Sequence, residues 1–229
     1  MREVFTYSGK GKRVTNEDYI LYKSLSETSS IFLLADGMGG YLHGDIASSL
    51  ACNSISEYLS SNLEKDDIPG SITQSIESAN SAIRLKRDSL KTKLGATIAG
   101  ALIDKDKAYL FWVGDVRIYH FRSDTILFQS EDHSLLNQMR KNGIVSTTDL
   151  TRYRNIVTRS LMGDNFQDPL PLLVAQVCPG DTLIICSDGL WQHWNVNALL
   201  NMPETELLNL LSANESDNDD NYSIIRLKT

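Results

Sequence analysis

Residues 95–124 constrain the fold more than any other part of the chain. GATIAGALID, KAYLFWVGD and VRIYHFRSD follow one another as apolar runs, with turns at DKD and at GD or SD. That spacing reads as successive strands. LPLLVAQV (170–177) and DTLIICSD (181–188) are two more, joined by the strong turn CPGD. EVFTYSGKGKRVTNEDYILYKSL (3–25) reads as two strands around a polar loop. SIFLLAD (30–36) is a short continuous apolar run, as expected of a strand buried on both faces. The tail SANESDNDDNYSIIRLK ends in one last strand. Helical spacing appears between these runs. Ala47, Leu50, Ala51, Ile55, Tyr58 and Leu59 mark a helix from about Asp45 to Leu63, capped by Asp45 or Gly44. After a break at DDIPG, a second helix spans roughly 71–90, and shorter ones fit 132–141 and 194–212. Strands come in runs at both ends of the chain, and regular alternation of strand and helix is absent. The pattern favours an α+β fold of antiparallel sheets covered by helices.

The chain's 229 residues, 41% hydrophobic and 22% charged, suit a globular domain with a sizeable core. A net charge of −7 with no basic stripe argues against nucleic acid as a partner. Cys52, Cys178 and Cys186 are far apart and odd in number, which fits a reducing compartment better than a disulfide framework. No apolar signal core or membrane-length run is present, so the expectation is a cytoplasmic protein without membrane contact.

Strand ends deliver acids. LLADGMGG (33–40) leaves an apolar run on Asp36, LIICSDGL (183–190) on Asp188 and LFWVGDVR (110–117) on Asp115. Asp220 sits just before the final strand, and Glu17 and Asp18 just before the second. Buried together, such carboxylates repel one another and lose hydration, so a convergent set needs a cation. Hard divalent ions such as magnesium or manganese take oxygen ligands of this kind. Each piece also has a plainer reading. Asp36-Gly37 is a common turn signal, Gly114-Asp115 an ordinary hairpin loop, and ESDNDD (215–220) a solvated acidic segment. The residues alone reach a candidate carboxylate metal site and no further.

The order of motifs resembles the metal-dependent serine/threonine protein phosphatases, the PPM or type 2C family, and especially their compact bacterial members. The matching stretches are RVTNED (13–18), ADGMGG (35–40), HGDIAS (43–48), GAT (95–97), VGDVR (113–117), DHS (132–134), RNIVTRSLMG (154–163), CSDGL (186–190) and DN (220–221). The resemblance implies one domain over 1–229. Its core would be a β-sandwich of two antiparallel sheets, flanked on both faces by pairs of antiparallel helices. A flap would lie beside the active site at about 135–160, where Arg152 and Arg154 could meet substrate. It implies two divalent cations, manganese or magnesium. Asp36 would bridge them, Asp188 and Asp220 would complete one, and the Gly37 carbonyl and Glu17 would serve the other. Asp18 would act through water. Asp115 matches the acid that, with Asp188, holds a third metal in many bacterial members. Arg13 matches the residue that grips substrate phosphate. Met38 stands where animal members carry a histidine proposed as general acid.

The implied activity is hydrolysis of phosphoserine and phosphothreonine in proteins by a metal-activated water, without a phosphoenzyme, opposing a bacterial Ser/Thr kinase. The partners expected are phosphorylated proteins and a cognate kinase, and the protein is expected to be a monomer. A second reading is a binding module on the same fold. Such modules usually lose metal acids, whereas this chain keeps the whole set and Arg13. His133 is expected to have a structural role rather than to transfer protons, and Cys186 to be a buried strand residue.

Overall fold

The computed structural model describes residues 3–38, 43–143, 153 and 155–229. In chain order the elements are β1 (Glu3–Gly9), β2 (Asp18–Ser24), β3 (Ser29–Gly37), α1 (Gly44–Asn62), α2 (Ile68–Leu90), β4 (Ala96–Asp104), β5 (Lys107–Val113), β6 (Arg117–Arg122) and β7 (Thr125–Gln129). There follow α3 (Leu135–Lys141), β8 (Leu172–Gln176), β9 (Asp181–Cys186), α4 (Asp188–Trp191), α5 (Val196–Leu199), α6 (Glu204–Ala213) and β10 (Tyr222–Lys228). The strands form two five-stranded sheets, ordered β2-β3-β4-β5-β8 and β1-β10-β9-β6-β7. Every neighbouring pair is antiparallel.

The period-2 alternation of each central strand builds the layers. On β3, Ile31, Leu33 and Ala35 pack against α1 and α2 residues such as Ala51, Ile55, Ile72 and Ile76. Phe32 and Leu34 point the other way and meet Ile118, Leu183, Ile185 and Ile225 of the second sheet. On β9, Ile184 and Cys186 face outward against Val196, Leu207 and Leu211. The order is therefore helix, sheet, sheet, helix, with the middle core between the sheets. The two helical covers differ. α1 and α2 are 19 and 23 residues long, whereas the other face carries α6 with 10 residues and two four-residue turns of helix.

Three elements differ from the sequence reading, one of them α4, a single turn at Asp188–Trp191 where no helix was expected. α2 begins at Ile68, because Pro69 sits in its first turn, where the missing N–H is no loss, and the Asp67 side chain accepts from the Gly70 N–H at 2.9 Å. The DDIPG stretch is thus a helix start rather than a gap. β7 is an additional strand. Its residues TILFQ are mostly exposed along an edge and lack the alternation of a half-buried strand. Among the described residues no helix is long and apolar enough to cross a membrane.

Candidate metal centre and phosphate site

Asp36 lies on the inward-facing parity of β3, one step beyond Phe32 and Leu34, so its side chain enters the gap between the sheets at one end of the sandwich. It pairs in register with Asp18 on β2 and Thr97 on β4. Asp188 opens α4 directly after β9, and Asp220 leads into β10, the strand beside β9. Asp115 occupies the β5–β6 turn. The cavity at this end holds about 410 Å³. Arg13, Glu17, Asp36, Gly37, Asp115, Asp188 and Asp220 all line it, with Met38, Asn155 and Ile156. Asp18 is buried behind it, its Oδ2 accepting from Ser187 Oγ at 2.7 Å. Arg152 and Arg154 lie outside the described residues.

Close backbone approach makes this convergence possible. A Cβ on Gly37 would stand 2.1 Å from the Gly44 carbonyl oxygen, so only glycine lets the end of β3 meet the start of α1. A Cβ on Gly189 would likewise stand 2.1 Å from the Asn221 carbonyl oxygen. That contact sets α4, and with it Asp188, against the segment carrying Asp220. His43, rather than the expected Gly44 or Asp45, is the residue that precedes α1, with φ 83° and no side-chain cap. The Gly44 backbone faces the Glu17 carboxylate and offsets part of the rise that burial gives it.

The electrostatics are those of crowded acids. Burial pushes Asp18 up to about 7, and Ser223 and Ser187 offset part of that while Asp188 adds to it. Burial also lifts Asp115 to about 7, with Asp188 as the next cause. Asp188 rises to about 6 through burial and the Asp220 charge. Asp36 lies well above the usual carboxylate range through burial, then through Asp18, Asp188, Asp115 and Asp220. A hydrogen bond from Asp36 pulls Asp188 partly back down. Mutually repelling acids share a proton in this way unless a cation offsets them.

A hard divalent ion fits this donor set. The groups are oxygen donors, they face one cavity, and Asp18 Oδ1 is buried without a hydrogen-bond partner. Among the described residues the acids are not drawn into a closed ligand cluster. Asp220 and Asp188 have protein partners instead. Arg13 Nη2 donates to Asp220 Oδ2 at 2.8 Å, and Gln192 Nε2 donates to Asp188 Oδ2 at 3.0 Å.

Surrounding residues fix the acids, and the sequence reading gave Trp191, Arg117 and Asp132 no role. Trp191 Nε1 donates to the Asp115 carbonyl at 3.0 Å. The Arg117 guanidinium lies 3.4 Å over the Trp191 ring and makes two bonds to Asp132, at 2.8 and 2.7 Å. His133 accepts from the Gly114 N–H through Nδ1 at 2.9 Å, and its own N–H donates to the Gly114 carbonyl at 2.8 Å. Burial drops His133 to about 4, so it is neutral at pH 7 and shapes the turn that presents Asp115. No histidine or cysteine is among the described residues lining the cavity. Cys186 is buried and its thiol is pushed up by that burial.

The segment 155–160 separates this cavity from a second one of about 560 Å³, between α3 and residues 158–168. The cations there are already engaged. Lys141 pairs with Glu131 at 2.9 Å, and Arg159 donates to the carbonyls of Pro169 and Asp168.

The sequence pattern of the family described as Protein phosphatase 2C matches residues 10–219. A serine/threonine phosphatase stp of Listeria welshimeri is 30% identical over 197 residues, covering 83% of this chain and 75% of its own. The structure of the S. agalactiae serine/threonine phosphatase superposes with a TM-score of 0.87 at 26% identity, over 100% of both chains. The catalytic domain of the phosphatase PstP in complex with two manganese ions superposes with a TM-score of 0.82 at 22% identity, over 99% of this chain and 97% of that one.

Proposed function

The chain belongs to the protein phosphatase 2C family and is a metal-dependent protein serine/threonine phosphatase; from that premise we propose how its own residues divide the work. The observation that carries the assignment is the set of acids around one cavity, among them Asp36, Asp115 and Asp188, which burial and their neighbours push up.

Asp36, Asp188 and Asp220 would hold the divalent ions, together with the Gly37 carbonyl and Glu17. Asp18, which accepts from Ser187, would act through water, and Asp115 with Asp188 would hold a further ion. When bound, these ions supply the charge that offsets the acids and lower the pKa of a water nucleophile toward neutrality. We take them to be manganese or magnesium, in line with the manganese in the PstP complex.

Arg13 binds the phosphoryl group. Its planar fork suits two phosphoryl oxygens and places positive charge where negative charge develops in the transition state. Arg13 is half-exposed and pairs with Asp220, so its guanidinium is at the cavity mouth. The acids ligate and orient, and no side chain need form a bond to phosphorus. Met38 stands where animal members carry a histidine, so the leaving serine or threonine oxygen would take its proton from water in the cavity.

The substrates are phosphorylated proteins, and the enzyme opposes a bacterial Ser/Thr kinase. We place it in the cytoplasm as a monomer, one domain over 1–229, with 135–160 as the flap. Hydrolysis of p-nitrophenyl phosphate and of a phosphothreonine peptide tests the reading. Both should require manganese or magnesium and stop on chelation. Full turnover by Asp36→Asn at saturating metal would remove Asp36 from the bridging role.

A further inference from the structure

Asn221 is buried, 5% exposed, and its side chain is spent entirely on the backbone of the loop that carries Arg13 and Glu17. Oδ1 accepts from the Glu17 N–H at 2.9 Å, and Nδ2 donates to the carbonyls of Lys10 and Thr15 at 2.8 and 3.0 Å. Only this orientation of the amide works, because the flipped one would set an oxygen against two carbonyls and an NH₂ against an N–H. The loop rests directly on the segment before β10. The Lys12 N–H donates to the Asn218 carbonyl at 2.9 Å, and Gly11 has φ +61° with no room for a Cβ against the Asp220 carbonyl oxygen. The ion pairs Lys12–Asp219 and Arg13–Asp220 also cross this junction, but both are solvent-exposed pairs of the kind that contribute little.

We propose that Asn221 is a positioning residue for the reaction. It fixes the 10–17 loop against the end of β10, so that the phosphate-gripping Arg13 and the acid Glu17 hold a set place relative to Asp220. The inference rests on the reading of Arg13 as the phosphate group's partner. Asn221 touches neither phosphate nor metal in this account and acts through the loop. Alternatives local to the loop are weak. Asn16 bonds Ser8 Oγ and the Asp18 N–H, and reaches β10 only indirectly, through Ser8 and Ser223.

The test uses the full chain loaded with manganese and inorganic phosphate as a competitive inhibitor of p-nitrophenyl phosphate hydrolysis. Asn221→Asp is isosteric. It keeps the acceptor for Glu17 but turns a carboxylate oxygen toward the Lys10 and Thr15 carbonyls. The inhibition constant for phosphate and the KM should rise about tenfold, with a smaller change in kcat, the size expected when buried partners are set against each other. Arg13→Ala should raise the same constant. The combined variant should exceed the Arg13→Ala value by no more than about twofold, because both changes disable one contact. A folded Asn221→Asp with unchanged phosphate inhibition overturns the proposal, and so does a double variant whose effects multiply. If Arg13→Ala alone leaves phosphate inhibition unchanged, the reading of Arg13 fails. The clamp is then judged by hydrogen exchange in the unaltered protein, as it also is if Asn221→Asp does not fold. A Glu17 amide protected like that of Gly37, which bonds the Glu17 carbonyl, supports the clamp. Exchange at the rate of an open loop overturns it.

Discussion

Asp18 and Asp36 stand directly opposite each other on neighbouring antiparallel strands, and both are pushed up chiefly by burial. Like charges facing across a sheet destabilise it. In the protein without metal, holding Asp36 buried opposite Asp18 is therefore a stability cost. Asp36→Asn should abolish turnover while raising the melting temperature of metal-stripped protein. A gain of about 2 °C or more corresponds to roughly 1 kcal/mol in a chain of this length. Paired calorimetry and phosphatase assays read both effects.

The same acids set a pH dependence. Asp18 and Asp115 at about 7 and Asp188 at about 6 all lie above their unfolded values near 4. Between those limits the folded state binds more protons than the unfolded one, so stability falls as pH rises. Metal-stripped protein should therefore melt at a lower temperature at pH 8 than at pH 5. Saturating manganese should flatten or reverse the trend, since the ion binds the deprotonated carboxylates. Melting curves across pH 5–8, with and without the ion, give the sign directly.

Arg117 is bound to Asp132 in a bidentate pair and stacked on Trp191, whose indole holds the Asp115 carbonyl. Lysine matches neither the fork nor the stack. Arg117→Lys should lose roughly 1–3 kcal/mol of stability, the scale for a buried hydrogen-bonded charge left poorly matched. Denaturant unfolding measures the loss. Retained stability would show that the stack does not carry the Asp115 turn.

Asn80 of α2 bridges to the loop after the active-site wall. Its Nδ2 donates to the Asp164 carbonyl at 2.6 Å, and its Oδ1 accepts from the Gly163 N–H at 2.7 Å. Asn80→Ala leaves both backbone groups without that partner and should cost about 1–3 kcal/mol. Asn80→Asp keeps the acceptor but sets a buried carboxylate oxygen against the Asp164 carbonyl, and should lose at least as much. Urea midpoints at constant slope test the order.

Much of this was legible in the sequence, for identifiable reasons. The central strands carry continuous apolar runs, and α1 carries a helical repeat, so layers and order follow from periodicity. Strand β7 escaped because TILFQ is an exposed edge without alternation. The true start of α2 escaped because Pro69 reads as a break until Asp67 is seen to cap it. At the site, each acid marks a strand end, yet their meeting depends on sheet register and on the Gly37–Gly44 and Gly189–Asn221 approaches, which spacing does not encode. The acidic run ESDNDD reads as a solvated loop, but Asn218 within it is buried and donates to the Gly189 carbonyl at 2.9 Å. The roles of Asn221, Trp191 and Arg117 rest on partners distant in sequence, so no local pattern announces them.

The proposal that Asp36, Asp188 and Asp220 share divalent ions between the sheets can be tested with crystals grown with manganese and measured at its absorption edge. At least two anomalous peaks are expected within bonding distance of those carboxylates, two of them sharing Asp36, with Arg13 at the mouth of the same cavity. Peaks elsewhere on the chain, or none in crystals soaked at saturating manganese, would contradict it.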